Sequence, residues 1–342
     1  MKKRYIHIIA AAILLLFQGC TQTELEEQEI KGDEILLSSQ AEETSSAVRA
    51  VGNFPNDGTI GLFATTQYDS NEAASANWRE YSDINNAKAT VSSVNNGVYA
   101  FTWEEKKYWP FDGSDLYFAA YSPYATGNDN NYILSEDGTS LFMVVHQNMY
   151  DILYASNNLT PQAYNKNNST VNLGEFMHLL SQLTVEVIAQ NNMSPTIRLS
   201  ELTISTKATS GTFNLLEGEN SLNVDVLQGN PQRIPFVSGQ VDFRNPKASY
   251  TQLLFPETES YTEISIGLID TSNNFTFNRS YMMSYFQNDN GLREPITLQR
   301  GKNTLLRIQV NGIGVDDPDL NISLSGIITD WNDQGRYGVT IE

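Results

Sequence analysis

The stretch Phe176-Met177-His178-Leu179-Leu180-Ser181-Gln182-Leu183-Thr184-Val185-Glu186-Val187-Ile188 decides the fold. Leu183, Val185 and Val187 fall on one face, and Thr184 and Glu186 on the other. A period of two belongs to a half-buried strand, because successive side chains of an extended chain point to opposite sides. The pattern recurs at Leu202 and Ile204, at Leu222, Val224 and Val226, and at Ile264, Ile266 and Leu268. It continues at Leu306, Ile308 and Val310, at Ile322 and Leu324, and at Tyr337, Val339 and Ile341. Gly, Pro and Asn clusters separate these runs, and no long amphipathic helix stands out. The expectation is an all-β chain of antiparallel β-sandwiches.

The first half carries shorter apolar runs. They are Ile60-Gly61-Leu62-Phe63-Ala64, Tyr99-Ala100-Phe101-Thr102-Trp103, Leu116-Tyr117-Phe118-Ala119-Ala120-Tyr121, Leu141-Phe142-Met143-Val144-Val145 and Ile152-Leu153-Tyr154-Ala155. Each reads as a strand. Residues 67–86 read as a polar loop, and the Asn-rich residues 156–170 as a linker or long loop.

The N-terminus has a different logic. Met1-Lys2-Lys3-Arg4 is cationic, a short apolar stretch runs to Phe17, and Gly19 precedes Cys20, the only cysteine of the 342 residues. This is the build of a secretory signal peptide over residues 1–19. The apolar stretch is shorter than the roughly 20 residues a membrane-spanning helix needs. A cysteine directly after the cut resembles the bacterial lipobox, in which the thiol is acylated, although Phe17 and Gln18 are unusual there. Removal of residues 1–19 takes the basic count from 21 to 18 against 40 acidic residues, a net charge near -22. Such a surface disfavours nucleic acid and anionic lipid. Residues 20–52 form an acidic leader without aromatic residues, and within it Ile35, Leu36 and Leu37 are the one apolar piece able to pair as a strand.

Few residues point to catalysis or to metal. His178 sits among apolar neighbours and reads as a core histidine, with neither a nucleophile nor an orienting acid indicated by the sequence. Asp316-Asp317-Pro318-Asp319 lacks EF-hand spacing and reads as a solvated turn. Trp103, Tyr108, Trp109, Phe111, Tyr117, Phe118, Tyr121 and Tyr124 read mainly as core, with a sugar-stacking platform as the alternative. No catalytic residue, cofactor or metal site is assigned, and the chain does not read as an enzyme.

Several pieces in order resemble the fimbrillin-like lipoproteins of Gram-negative anaerobes, the subunits of type V pili. They are Tyr108-Trp109-Pro110 with Leu116 to Tyr124, Asp151-Ile152-Leu153-Tyr154-Ala155, the stretch quoted first, and Ile327-Ile328-Thr329-Asp330-Trp331-Asn332. The resemblance implies two tandem transthyretin-like β-sandwiches, over residues 53–167 and 168–342. It implies surface export on a lipid at Cys20, at the outer membrane and then in the fimbrium. It implies a cut by an arginine-specific protease between Arg49 and Ala50, which frees Ile35, Leu36 and Leu37 as a removable strand. The vacated groove, expected near Ile60-Gly61-Leu62, would take a strand donated by another pilus subunit. Residues 337–341 are either that donor strand or the last core strand. The partners implied are other pilus subunits, the lipid anchor and a host or bacterial surface ligand. The alternative is a glycan-binding surface lipoprotein that does not polymerise.

Overall fold

In the computed structural model the chain is described over residues 32–40, 58–66, 84–95, 98–125, 132–135, 138, 140–147, 149–189, 193–215, 217–244, 248–256, 262–282, 286–287, 293–294, 298–310 and 322–330. Cys20, Arg49, Ala50, Asp316 to Asp319 and Tyr337 to Ile341 lie outside these residues. The described residues hold strands and short 3-10 turns such as Gly218–Ser221, with no α-helix.

Four sheets are built. The first runs Thr170–Asn172, Leu36–Gln40, Val98–Trp103, Ala87–Asn95, Thr59–Thr65, Leu116–Ser122, Leu153–Ala155 and Phe176–His178, with Pro161–Gln162 also paired to Leu116–Ser122. The second runs Ala248–Leu254, Ser181–Ala189, Lys302–Val310, Ile322–Asp330, Phe286–Gln287 and Arg293–Glu294. The third runs Gln232–Val241, Ile197–Thr206, Thr262–Asp270 and Phe275–Met282. The fourth runs Asn223–Val226, Ala208–Asn214, Ser140–Val144 and Tyr132–Leu134.

The expected alternation is realised in the strand Ser181–Ala189. Leu183, Val185 and Val187 are buried and stand opposite Thr304, Leu306 and Ile308 of Lys302–Val310. That pair is parallel, as is Leu36–Gln40 against Thr170–Asn172. The first and second sheets are therefore mixed, since these strands are brought together by long connections rather than by hairpins, while the third and fourth are wholly antiparallel.

Two cores explain where alternation fails. In Leu116–Ser122, Leu116, Phe118 and Ala120 enter one core with Ile60, Leu62, Phe101 and Trp103. Ala119 and Tyr121 enter the other, with Phe63, Tyr154, Leu183 and Leu202. The middle of the first sheet is thus covered on both faces, which requires near-continuous apolar runs. Gly61 is needed at this point: a Cβ there would lie 2.5 Å from the buried Tyr121 ring. The Tyr121 hydroxyl donates to Asn86 Oδ1 at 2.6 Å, and burial pushes its phenol pKa up.

The Asn-rich stretch 156–170 contains Pro161–Gln162, which pairs with Leu116 and Tyr117, so part of the expected linker belongs to the sheet. Thr170–Asn172 and Phe176–His178 also pair within the first sheet, and sheet membership changes between His178 and Ser181. The fourth sheet joins Ser140–Val144 to Ala208–Asn214, on either side of that point.

Candidate functional site

Leu36–Gln40 is an interior strand. On one side it is antiparallel to Val98–Trp103, with Leu37 opposite Phe101, Ser38 opposite Ala100, Ser39 opposite Tyr99 and Gln40 opposite Val98. On the other it is parallel to Thr170–Asn172, with Leu36 opposite Thr170, Leu37 opposite Val171 and Ser38 opposite Asn172. The groove expected near Ile60-Gly61-Leu62 is therefore displaced: Val98–Trp103 and Ala87–Asn95 lie between the leader strand and Thr59–Thr65. Ile60 and Leu62 meet the leader only as members of the same core as Ile35 and Leu37.

Local chemistry sets which way the strand faces. Ile35, Leu37 and Ser39 are buried, while Leu36 is 50% exposed. Burying two aliphatic side chains of this size stabilises the strand by roughly 1.5–3 kcal/mol each. At its start, Ile35 N–H donates to Lys107 O at 2.8 Å, and the Trp103 indole Nε1 donates to Ile35 O at 2.7 Å. Just before it, Trp109 N–H donates to Asp33 O at 3.0 Å and the Tyr164 hydroxyl to Asp33 Oδ2 at 2.5 Å. That carboxylate holds the half-buried Tyr164 phenol above its ordinary pKa. Lys106 forms a surface ion pair with Glu34 at 2.7 Å, which holds its ammonium pKa up. At the far end, Leu173 N–H donates to Ser38 O at 2.8 Å and the Ser39 hydroxyl to Gly174 O at 2.5 Å. Gly174 has φ of +74°, and a Cβ there would strike Ser156 Oγ at 2.4 Å, so this end of the slot is closed tightly.

The strand is thus clamped at both ends and bonded along both sides. Without it, Val98–Trp103 and Thr170–Asn172 would each present an open edge, and the places of Ile35 and Leu37 would be an apolar groove. Sequence reasoning found the piece Ile35 to Ser39 but missed the contacts that Ile35 and Ser39 make with Trp103, Lys107 and Gly174. These pairings join residues 68 to 135 positions apart and leave no local signal.

His178 is placed elsewhere. Its Nδ1 lies 2.5 Å from Asp151 Oδ2, and both side chains are fully buried. An orienting acid is thus present, contrary to the reading of the sequence. The pair lies in the interior, away from the leader strand's slot. Of the eight aromatic residues weighed as a platform, Trp103, Trp109, Phe118 and Tyr121 are buried, and Phe111 is the ring that stands out at 76% exposure. Among the described residues, no group of three or more His, Cys, Asp or Glu side chains is placed to hold a metal ion.

An all-β chain with Leu36–Gln40 inside its first sheet, and with cores on either side of that sheet, is a β-sandwich protein. The chain belongs to the fimbrillin-like family, which it matches over residues 48–331. Its fold is similar to that of a candidate cell adhesion protein of Bacteroides uniformis, at 16% identity and a TM-score of 0.57, covering 87% of this chain and 98% of that one. A fimbrial protein of Bacteroides vulgatus is similar at 15% identity and a TM-score of 0.54, covering 87% and 99%. Another candidate cell adhesion protein, from Bacteroides ovatus, gives 14% and 0.53, covering 88% and 98%. No curated protein matches the sequence.

Proposed function

We propose that this chain is a non-enzymatic fimbrial subunit or fimbria-associated adhesin that assembles by exchanging its leader strand for one from another subunit. The observation that carries this reading is the interior position of Leu36–Gln40 between two strands. An edge strand can leave a sheet intact. An interior strand leaves two unpaired ladders and a groove, and an incoming strand satisfies both by β-augmentation.

In this reading residues 1–19 are removed and Cys20 is acylated, which tethers the protein at the outer membrane. A cut between Arg49 and Ala50 then severs the leader from the body, which is built of two transthyretin-like sandwiches. The cut adds no attraction. It ends the high effective concentration at which a tethered strand re-enters its own slot.

Trypsin treatment of the full-length protein tests this, followed by N-terminal sequencing and size-exclusion chromatography at high concentration. The expected product begins at Ala50 and forms oligomers, while Arg49→Ala stays monomeric. A trimmed product that keeps the leader bound and remains monomeric with partner subunits present sinks the exchange reading. Cys20→Ser is expected to release the protein from membranes. Retention of attached lipid by that variant removes the anchor.

A further inference from the structure

A cavity of about 540 Å³ opens on the third sheet, lined by Glu201, Ser205, Arg233, Glu263, Asn230 and Asn278 among others. We propose that it is a binding site for a neutral oligosaccharide, separate from the leader-strand slot and independent of strand exchange.

The argument starts from the strand Ile197–Thr206. Its Leu202 and Ile204 enter the core, so Thr203 and Ser205 point the other way, toward the outer face of the sheet. Outward hydroxyls of a surface sheet are ordinarily wet. Here Thr203 and Ser205 are only 3% and 5% exposed, because charged and amide side chains stand around them as a rim. Ser205 lines the cavity, and its hydroxyl has no side-chain partner among the described residues. A buried hydroxyl is ordinarily satisfied, so one that opens into a cavity is a place for a ligand atom or a water.

The rim has a definite donor and acceptor pattern. Arg233 Nη2 donates to Glu201 Oε1 at 2.8 Å, and the Thr203 hydroxyl donates to the same oxygen at 3.1 Å. Glu263 stands opposite Ser205 on the neighbouring strand, and its carboxylate has no ion-pair or hydrogen-bond partner among the described residues. Asn278 and Glu201 close together over Gly267, where a Cβ would lie 2.6 Å from Asn278 Oδ1 and 2.9 Å from Glu201 Cβ. The glycine therefore makes room for two of the lining side chains.

This lining selects a ligand class. Two carboxylates in a strongly acidic protein repel an anion. Among the described residues no aromatic ring lines the cavity, so a flat aromatic ligand finds no stacking partner there. A cation meets one carboxylate already engaged by a guanidinium, and that guanidinium opposes it. A neutral polyol suits the mixture: its hydroxyls donate to Glu263 and Glu201 and accept from Arg233, Asn230 and Asn278. Pro231 supplies a small apolar surface for the C–H face of a sugar ring. The volume lies within the range of about 300–1,000 Å³ usual for ligand clefts.

The test is an array bearing neutral oligosaccharides, sialylated oligosaccharides and a lysine-rich peptide, probed with the mature full-length protein. The best-retained sugar is then titrated against wild type, Glu263→Gln and Arg233→Gln. Retention on neutral glycans is expected, with affinity lowered about tenfold in either variant and thermal melting unchanged, as loss of a charge-assisted hydrogen bond predicts. Absence of retention on every neutral glycan overturns the site. So does preference for the sialylated or cationic probes, or binding that neither variant weakens.

Discussion

The indole Nε1 of Trp103 donates a hydrogen bond to the carbonyl oxygen of Ile35 across 2.7 Å, tying the body of the first sheet to the leader strand. Both side chains are buried. Trp103→Phe keeps a ring in the core but leaves that carbonyl without its donor. A buried acceptor left unsatisfied costs on the order of 1–3 kcal/mol. The variant is expected to melt lower and, once the leader is cut, to release it faster. Dissociation of a labelled leader, followed by fluorescence, measures this. An unchanged release rate means that the bond is not holding the strand.

Ser39 is expected to set the register of any strand in the slot. A slip of one residue would turn Ile35 and Leu37 outward, which their burial forbids. A slip of two keeps the faces but moves Leu37 to the place of Ser39 and Asp33 to the place of Ile35. The first overfills a site closed by Gly174, and the second buries a carboxylate. Ser39→Leu is therefore expected to destabilise the protein by about 1–3 kcal/mol. Ser39→Ala removes only the bond to Gly174 O and is expected to cost less. Urea denaturation ranks the two. In the slot itself, a peptide of residues 33–41 is expected to enter the cut protein, and its Ser39→Leu version to fail. If neither peptide enters, strand exchange is wrong. If both enter equally, only the register argument is wrong.

The strands of the second half were legible because one face is wet. Leu183, Val185 and Val187 alternate with polar residues, and the structure buries that set. Leu116–Ser122 reads as a plain apolar run, because both of its faces are covered by different cores, and no periodicity announces two cores. Ala87–Asn95 escaped notice for the opposite reason. Lys88, Ser92, Ser93 and Asn95 make it polar, and it is held by pairing on both sides rather than by burial. The leader piece Ile35, Leu36 and Leu37 was visible as an apolar island in an acidic segment. Its neighbours were not, since residue 36 meets residue 170 and residue 37 meets residue 101. Pairing across such distances is decided by closure of the whole sheet. The cavity around Ser205 was equally silent, because its lining comes from four strands and a loop with no shared motif.

Acid is expected to weaken one surface contact in a defined window. The Arg244 guanidinium bonds Asp242 through Nε at 2.9 Å and Nη2 at 2.5 Å, and holds that carboxyl down to about 2 from 3.8. A pKa depressed in the folded state contributes stability above the ordinary carboxylate value. That contribution fades below 3.8 and is gone once the pH falls through about 2. Asp242 is half exposed, so the effect is small and screened by salt. Asp242→Asn is expected to melt slightly below wild type near neutral pH and to match it at about pH 2. Melting curves across that range, at low salt, check the convergence. A gap that persists at the acid end assigns the loss to packing instead.

The buried Asp151–His178 pair is expected to behave as a unit that cannot be dismantled one side at a time. It lies where the chain leaves the first sheet, with Leu179 N–H donating to Ile152 O at 2.9 Å beside it. Two ionisable groups without solvent must satisfy each other, so removing either leaves the other buried without that partner. Breaking a buried pair of this kind costs about 3–5 kcal/mol. Removing both groups costs the cavity but leaves neither member of the pair buried without the other. His178→Ala and Asp151→Ala are each expected to destabilise strongly, and the double variant by less than the sum of the two. The shortfall should be on the order of 0.5–3 kcal/mol, the range found for residues in contact. Chemical denaturation of the four proteins closes the cycle. Strict additivity would mean that the two side chains stabilise the fold through separate packing, and that the short contact between them contributes nothing.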